Sequence, residues 1–173
     1  PVLSPRASTL RFHASKHRPQ PEVIRLSSRG ISLHQTLDFF LPKLLELAPD
    51  AAVVLLGISD MVHPAHLKEV SQYEKDLNTL LEKLSSIRCK PVICDLYLCD
   101  ESKLFERHDR NAYYGLRNPN ERIRAANKII HETVRKYGAV CYHLSAQVQK
   151  HGGLNPDGEH LEESAQKILA ESL

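Results

Sequence analysis

The chain has 173 residues, 42% hydrophobic and 25% charged, with 23 basic and 21 acidic side chains and a net charge of +2. That length fits a single domain over 1–173 and can bury a core without staples. So even a charge balance, with no concentrated basic face beyond the first residues, argues against a nucleic-acid partner. No apolar run approaches the roughly 20 residues that span a bilayer.

Residues 1–21 carry Arg6, Arg11, Lys16 and Arg18 and no acid; Glu22 is the first carboxylate. The start at Pro1 reads as a processed end. An acid-free segment with Arg and Ser has the composition of a transit peptide, although a basic helix surface is the plainer expectation; no apolar signal core is present. Pro1-Val2-Leu3 could open a strand, which Pro5 cuts short.

Glu22–Leu26 reads as a short strand. From Leu33 to Leu47 the apolar positions Leu37, Phe40, Leu41, Leu44 and Leu45 follow helical spacing, ended by Pro49-Asp50. Ala51–Leu56 is a continuous apolar run, the pattern of a parallel strand buried on both faces. A long helix follows over His66–Ser86, then a buried strand over Pro91–Tyr97. Residues 98–118 are polar and irregular and read as an inserted surface loop. Pro119–Tyr137 is a helix with proline in its first turn, Gly138–Leu144 a strand and Glu162–Leu173 a final helix. Alternating strands and helices predict an α/β domain: a doubly wound parallel sheet of about five strands with helices on both faces.

The cysteines Cys89, Cys94, Cys99 and Cys141 lack a C-x-x-C spacing. Cys94 and Cys141 lie in apolar runs and read as small buried hydrophobes rather than ligands or redox groups. This favours a reducing compartment, and a cytoplasmic location is expected.

In open α/β sheets ligands bind beyond the carboxyl ends of the strands. The segments there are Arg6–Thr9 before the first expected helix, Ser28–Ser32, Gly57–Asp60 and Asn155–His160. Asp157 and His160 lie three apart around Gly158. A carboxylate so placed can fix one imidazole nitrogen and leave the other as a general base; the plainer alternative is a helix cap beside a solvated histidine.

These blocks, in this order on an α/β pattern, resemble the SGNH (GDSL-like) hydrolases, most closely the small single-domain acetylhydrolases and carbohydrate esterases. The likeness spans essentially the whole chain. The family's R-G-I-S-G block reads Arg29-Gly30-Ile31-Ser32-Leu33 here; G-x-N-D reads Gly57-Ile58-Ser59-Asp60; D-G-x-H reads Asp157-Gly158-Glu159-His160. The resemblance implies a Ser-His-Asp acyl hydrolase with a flavodoxin-like three-layer sandwich. Its nucleophile maps to Ser8, with Ser4 as an outside candidate. The glycine and aspartate of the family's G-D-S block are replaced by Arg6 and Ala7, and Ser8 could instead cap a helix. The implied oxyanion hole comprises the backbone N–H groups of Ser8 and Gly30 with Ser59, which replaces an asparagine donor. Losing such a donor typically costs about 100- to 1000-fold in turnover.

The substrate implied is a small-molecule ester with a short acyl group, on a sugar or lipid. No metal or organic cofactor is implied, and no oligomeric state. The competing expectation is a catalytically impaired SGNH-like binding or interaction module, in which Arg6 holds an anionic ligand. A nucleotide-binding α/β domain is disfavoured because no glycine-rich phosphate loop is present. Asp60 is expected to support its loop by hydrogen bonding, and Glu159 to face solvent. His63 and His66 lack a third metal ligand and read as capping or surface residues. His108-Asp109-Arg110 and Tyr113-Tyr114 could form a substrate rim.

Overall fold

The computed structural model describes residues 8–10 (their backbone), 22–67, 69–113, 118–151 and 153–172. The chain forms two compact units, Pro1–Ile31 and Ser32–Leu173. In the first unit β1 (Ser8–Leu10) pairs antiparallel with β2 (Val23–Arg25), Thr9 opposite Ile24. The parallel arrangement expected of every strand does not extend to this pair.

The second unit opens with α1 (Leu33–Phe39) and α2 (Leu41–Leu47) where one continuous helix was expected. Pro42, in the first turn of α2, has no N–H to continue the ladder of α1, so the chain restarts at Phe40. Ser32 caps α1 in a reciprocal box: its hydroxyl accepts the Gln35 N–H and the Gln35 side chain accepts the Ser32 N–H.

Next come β3 (Ala51–Val54), α3 (Ile58–Val62), α4 (Val70–Ser86), β4 (Lys90–Cys94), α5 (Glu101–Arg107), α6 (Pro119–Tyr137), β5 (Val140–Tyr142), α7 (Leu144–His151) and α8 (Glu163–Ser172). Strands β3, β4 and β5 form a parallel sheet in that order, with Val54 opposite Ile93 and Cys94 opposite Tyr142. Among the described residues this sheet has three strands, fewer than the expected five.

The main core lies on one face of the sheet. Val54 and Ile93 meet Leu77, Leu80, Leu81 and Leu84 of α4 and Ile123, Ala126 and Ile130 of α6. Side chains alternate along a strand, so the neighbouring positions face the other way. There Cys94 and Tyr142 pack with Leu144, Leu161 and Ala165 in a second cluster under α7 and α8. Helices thus flank both faces, but among the described residues the second cluster lies toward the carboxyl ends of the strands. Val53 and Val140, on either side of Val92, remain 55% and 59% exposed. The run expected to be buried on both faces is therefore open on one.

Within the segment expected to be an irregular loop, the described residues 98–113 carry regular structure. Asp100 caps α5 by accepting the Ser102 and Lys103 N–H groups, and a 3-10 turn follows at Arg110–Tyr113. The segment after β4 is held by two asparagines of α6. Asn127 bonds both the N–H and the carbonyl of Leu96 at 2.7 Å, and Asn120 bonds both backbone groups of Cys99 at 3.0 Å. Each amide replaces the partners a strand would have supplied, which lets the chain leave the sheet while buried. Among the described residues, no helix is long and apolar enough to cross a membrane.

Candidate active site

The Asn155–His160 segment is a tight turn between two bridged residues, Leu154 and Leu161. It closes through Gly158 N–H to Asn155 O at 2.9 Å and Asn155 N–H to His160 O at 2.7 Å. Gly158 has φ +75, and its carbonyl accepts the Asp100 N–H. A Cβ there would lie 2.8 Å from the Asp100 carbonyl oxygen and 2.7 Å from Lys103 Cβ. Only glycine meets both demands.

Within this turn Asp157 does two jobs. Its Oδ1 accepts the N–H groups of Glu159 and His160, each at 2.9 Å, and its Oδ2 lies 2.7 Å from His160 Nδ1. Partial burial raises the carboxyl, but the two backbone N–H groups and the imidazole outweigh it and hold Asp157 down at about 2. The carboxylate is thus ionised at any ordinary pH. It commits Nδ1 and leaves Nε2 as the ring atom that can exchange a proton. His160 is about half exposed, so that atom can meet a substrate.

The Gly57–Asp60 segment turns β3 into α3. Gly57 has φ +125, and a Cβ there would lie 2.8 Å from the Tyr73 ring, whose hydroxyl donates to Leu56 O. Ser59 sits in the first turn of α3. Asp60 is buried and does support the loop: both its oxygens accept the Leu33 N–H, at 3.1 and 3.0 Å. Burial pushes its carboxyl up to about 6, against the lowering effect of that N–H. The Asp60 carbonyl accepts from Arg122 at 3.3 Å.

Ser8 is the first residue of β1 and pairs with Arg25. It opens a strand, whereas the family resemblance placed it just after one. Its side chain, and Ser4, lie outside the described residues. Gly30 occupies an exposed turn with φ +66. Ser8 and Gly30 belong to the first unit; Ser59, Asp157 and His160 belong to the second.

No protein-family model matches the chain. No curated protein matches it either. Solved structures do. A lipase/acylhydrolase from Enterococcus faecalis shares 18% identity, with 82% of this chain and 68% of that one covered at a TM-score of 0.66. An acetylxylan esterase from Geobacillus stearothermophilus shares 15%, with 87% and 69% covered, also at 0.66. A GDSL-like lipase from Bacteroides thetaiotaomicron shares 15%, with 82% and 68% covered, at 0.65. The chain has the SGNH-hydrolase fold.

On this SGNH fold the segment expected to be a loop supports the candidate dyad. Arg107, in the last turn of α5, donates to the Asp157 carbonyl and to Glu159 Oε2, both at 3.0 Å. Glu159 is buried rather than solvated, because Arg107 supplies a cation inside the turn. Neither residue was singled out as a support from the sequence. The one legible signal was Asp100-Glu101-Ser102, a helix start that would have put Arg107 on a helix. Tyr113 is not a substrate rim: it is buried, packs edge-on against Phe105 and donates its hydroxyl to Val62 O. Tyr114 lies outside the described residues. His63 caps the 3-10 turn at Pro64–His66 through Nδ1, and its ring contacts those of His66 and His108.

Proposed function

We propose that the chain is a serine carboxylic ester hydrolase acting on a small-molecule ester with a short acyl group, on a sugar or a lipid. The observation that carries this reading is the Asp157–His160 pair, 2.7 Å apart with an ionised carboxylate, on an SGNH fold. The reading takes 1–173 as one domain and Ser8 as the nucleophile. His160 Nε2 removes the Ser8 hydroxyl proton as the oxygen attacks the acyl carbonyl, then returns it to the leaving alcohol. Water repeats the cycle on the acyl-enzyme. Asp157 fixes the tautomer and stabilises the imidazolium that forms at each step. Backbone N–H groups of Ser8 and Gly30, with the Ser59 hydroxyl, receive the developing oxyanion. Serine reaches less far than asparagine, so turnover is expected to be modest.

The experiment is hydrolysis of p-nitrophenyl acetate by the purified chain beside Ser8→Ala and His160→Ala, with fluorophosphonate labelling in parallel. Activity abolished by both substitutions supports the assignment. Loss in His160→Ala alone moves the nucleophile to another serine, with Ser4 tested next. A parent chain no faster than buffer and unlabelled by the probe overturns the hydrolase reading in favour of a binding module.

A further inference from the structure

At the carboxyl end of the sheet four side chains of metal-binding type converge, none of them among the residues assigned above. Asp95 directly follows β4. Cys141 lies in β5, and His143 follows that strand by one residue. Cys141 and His143 are two apart in extended chain, so they share a side. The register that sets Cys94 opposite Tyr142 brings Asp95 beside them, and the Asp95 N–H bonds the Tyr142 carbonyl at 3.0 Å. His131 comes from α6, which packs over that side of the sheet. One donor atom from each of the four lies within 4.8 Å of every other.

The plainer account is a hydrogen-bond cluster that begins α7. Asp95 does accept the Ser145 N–H at 2.7 Å and the Ser145 hydroxyl at 2.9 Å, and this explains its burial. It also takes in His143, whose Nδ1 hydrogen-bonds Asp95 Oδ2, but it leaves His131 and Cys141 unexplained. His143 Nδ1 stands 3.2 Å from Asp95 Oδ2, and His131 Nε2 stands 3.5 Å from the same oxygen. That His131 nitrogen is buried and makes no hydrogen bond. The Cys141 thiol is free of any disulfide. Two imidazole nitrogens, a sulfur and a carboxylate oxygen thus surround one point.

We propose that Asp95, His131, Cys141 and His143 form a binding site for a single zinc-type dication. The donor set selects the ion. One sulfur and two imidazoles exclude magnesium and calcium, which take oxygen, and suit the borderline-soft zinc ion in tetrahedral geometry. Zinc bonds of about 2.0–2.3 Å place ligand atoms roughly 3.3–3.8 Å apart; the Asp95 pairs at 3.2 and 3.5 Å already stand near that spacing, and pairs as wide as 4.8 Å close in by about an ångström on binding. His131 and His143 have side chains 41% and 64% exposed, which supplies the freedom to move and an entry path. Ser145 acts as the outer partner that orients the Asp95 carboxylate. The ion would tie β4, β5 and α6 together. Reading cysteine spacings along the chain cannot reveal such a site, because its ligands come from three elements; the sequence had suggested no metal.

The test uses the full chain, stripped with a chelator and titrated with Co²⁺ and then Zn²⁺. One equivalent of Co²⁺ should bring up intense tetrahedral visible bands and a thiolate-to-cobalt charge-transfer band, both displaced by Zn²⁺. The charge-transfer band should vanish in Cys141→Ser. His143→Asn, an exposed substitution that spares the core, should weaken Zn²⁺ binding at least about tenfold and remove the Tm increase that Zn²⁺ gives the parent chain. His66→Ala, in the separate histidine group, should change neither. Absence of saturable binding overturns the proposal, as does a charge-transfer band that survives Cys141→Ser or an affinity unaltered by His143→Asn. None of these readouts depends on esterase activity.

Discussion

Both oxygens of the Asp60 carboxylate accept the backbone N–H of Leu33, joining the start of α1 to the start of α3 across 27 residues of sequence. Asp60 is the only acid that burial pushes up to about 6 among the described residues. Between pH 4 and 6 the folded state therefore binds more protons at this group than the unfolded chain does. Stability from this group is full below about pH 4 and declines as pH rises through 6. Asp60→Asn keeps an oxygen for Leu33 and should flatten that decline. Asp60→Ala leaves a buried N–H unpaired and should cost about 1–3 kcal/mol. Urea unfolding of the three proteins at pH 4, 5, 6 and 7 reads both effects. Parallel pH profiles for the parent and Asp60→Asn would refute the linkage.

Asp157 has the opposite sign. Its carboxyl is held at about 2, below its unfolded value, so its contribution is present above pH 4 and lost as pH falls toward 2. Asp157→Asn should abolish that acid-side loss. It also presents the wrong partner to His160 Nδ1, so ester hydrolysis should fall by roughly 10³- to 10⁴-fold with the fold intact by circular dichroism. A fall confined to KM would argue against a tautomer-fixing role.

The helix over 119–137 was legible from its long helical periodicity, and the sheet strands from their continuous apolar runs, which together gave the α/β alternation. The dyad turn was legible for a different reason. The Asp157 carboxylate and His160 meet within three residues, and local chemistry can be read locally. What escaped depends on partners distant in sequence. Glu159 is inside only because Arg107, 52 residues earlier, meets it. The break at Phe40 was available in principle: Pro42 announced it, but the apolar spacing ran through undisturbed. Val53 and Val140 carry an apolar pattern that says nothing about which stretch of a sheet face the helices reach.

The Arg107–Glu159 pair predicts a coupling. Arg107→Ala leaves Glu159 buried without its cation and frees the Asp157 carbonyl, and should destabilise the chain by about 1–3 kcal/mol. Glu159→Gln should cost less, since an amide tolerates burial better than a lone carboxylate. The double variant should recover part of the Arg107→Ala loss. A double-mutant cycle by urea unfolding measures this directly, and strict additivity would mean the pair does not hold the turn.

Gly158→Ala tests whether the turn is required as a unit. The substitution meets two obstacles at once: φ +75, and a Cβ within 2.8 Å of the Asp100 carbonyl oxygen. The strain at positive φ alone is about 1 kcal/mol or more. The Asp100 carbonyl cannot yield easily, because it accepts the Leu104 N–H within α5. Relief must come from the turn itself, which moves Asp157 Oδ1, the acceptor of the Glu159 and His160 N–H groups, and the His160 ring. The expected outcome is a lower Tm together with a loss of ester hydrolysis larger than the stability change explains at a temperature where the variant is folded. Gly138→Ala is the matched control: φ is +63 there, but no atom lies within 4 Å of the added Cβ. It should show the backbone strain alone and leave hydrolysis untouched. If the two variants lose activity equally, the turn's close approach to α5 has no part in placing His160.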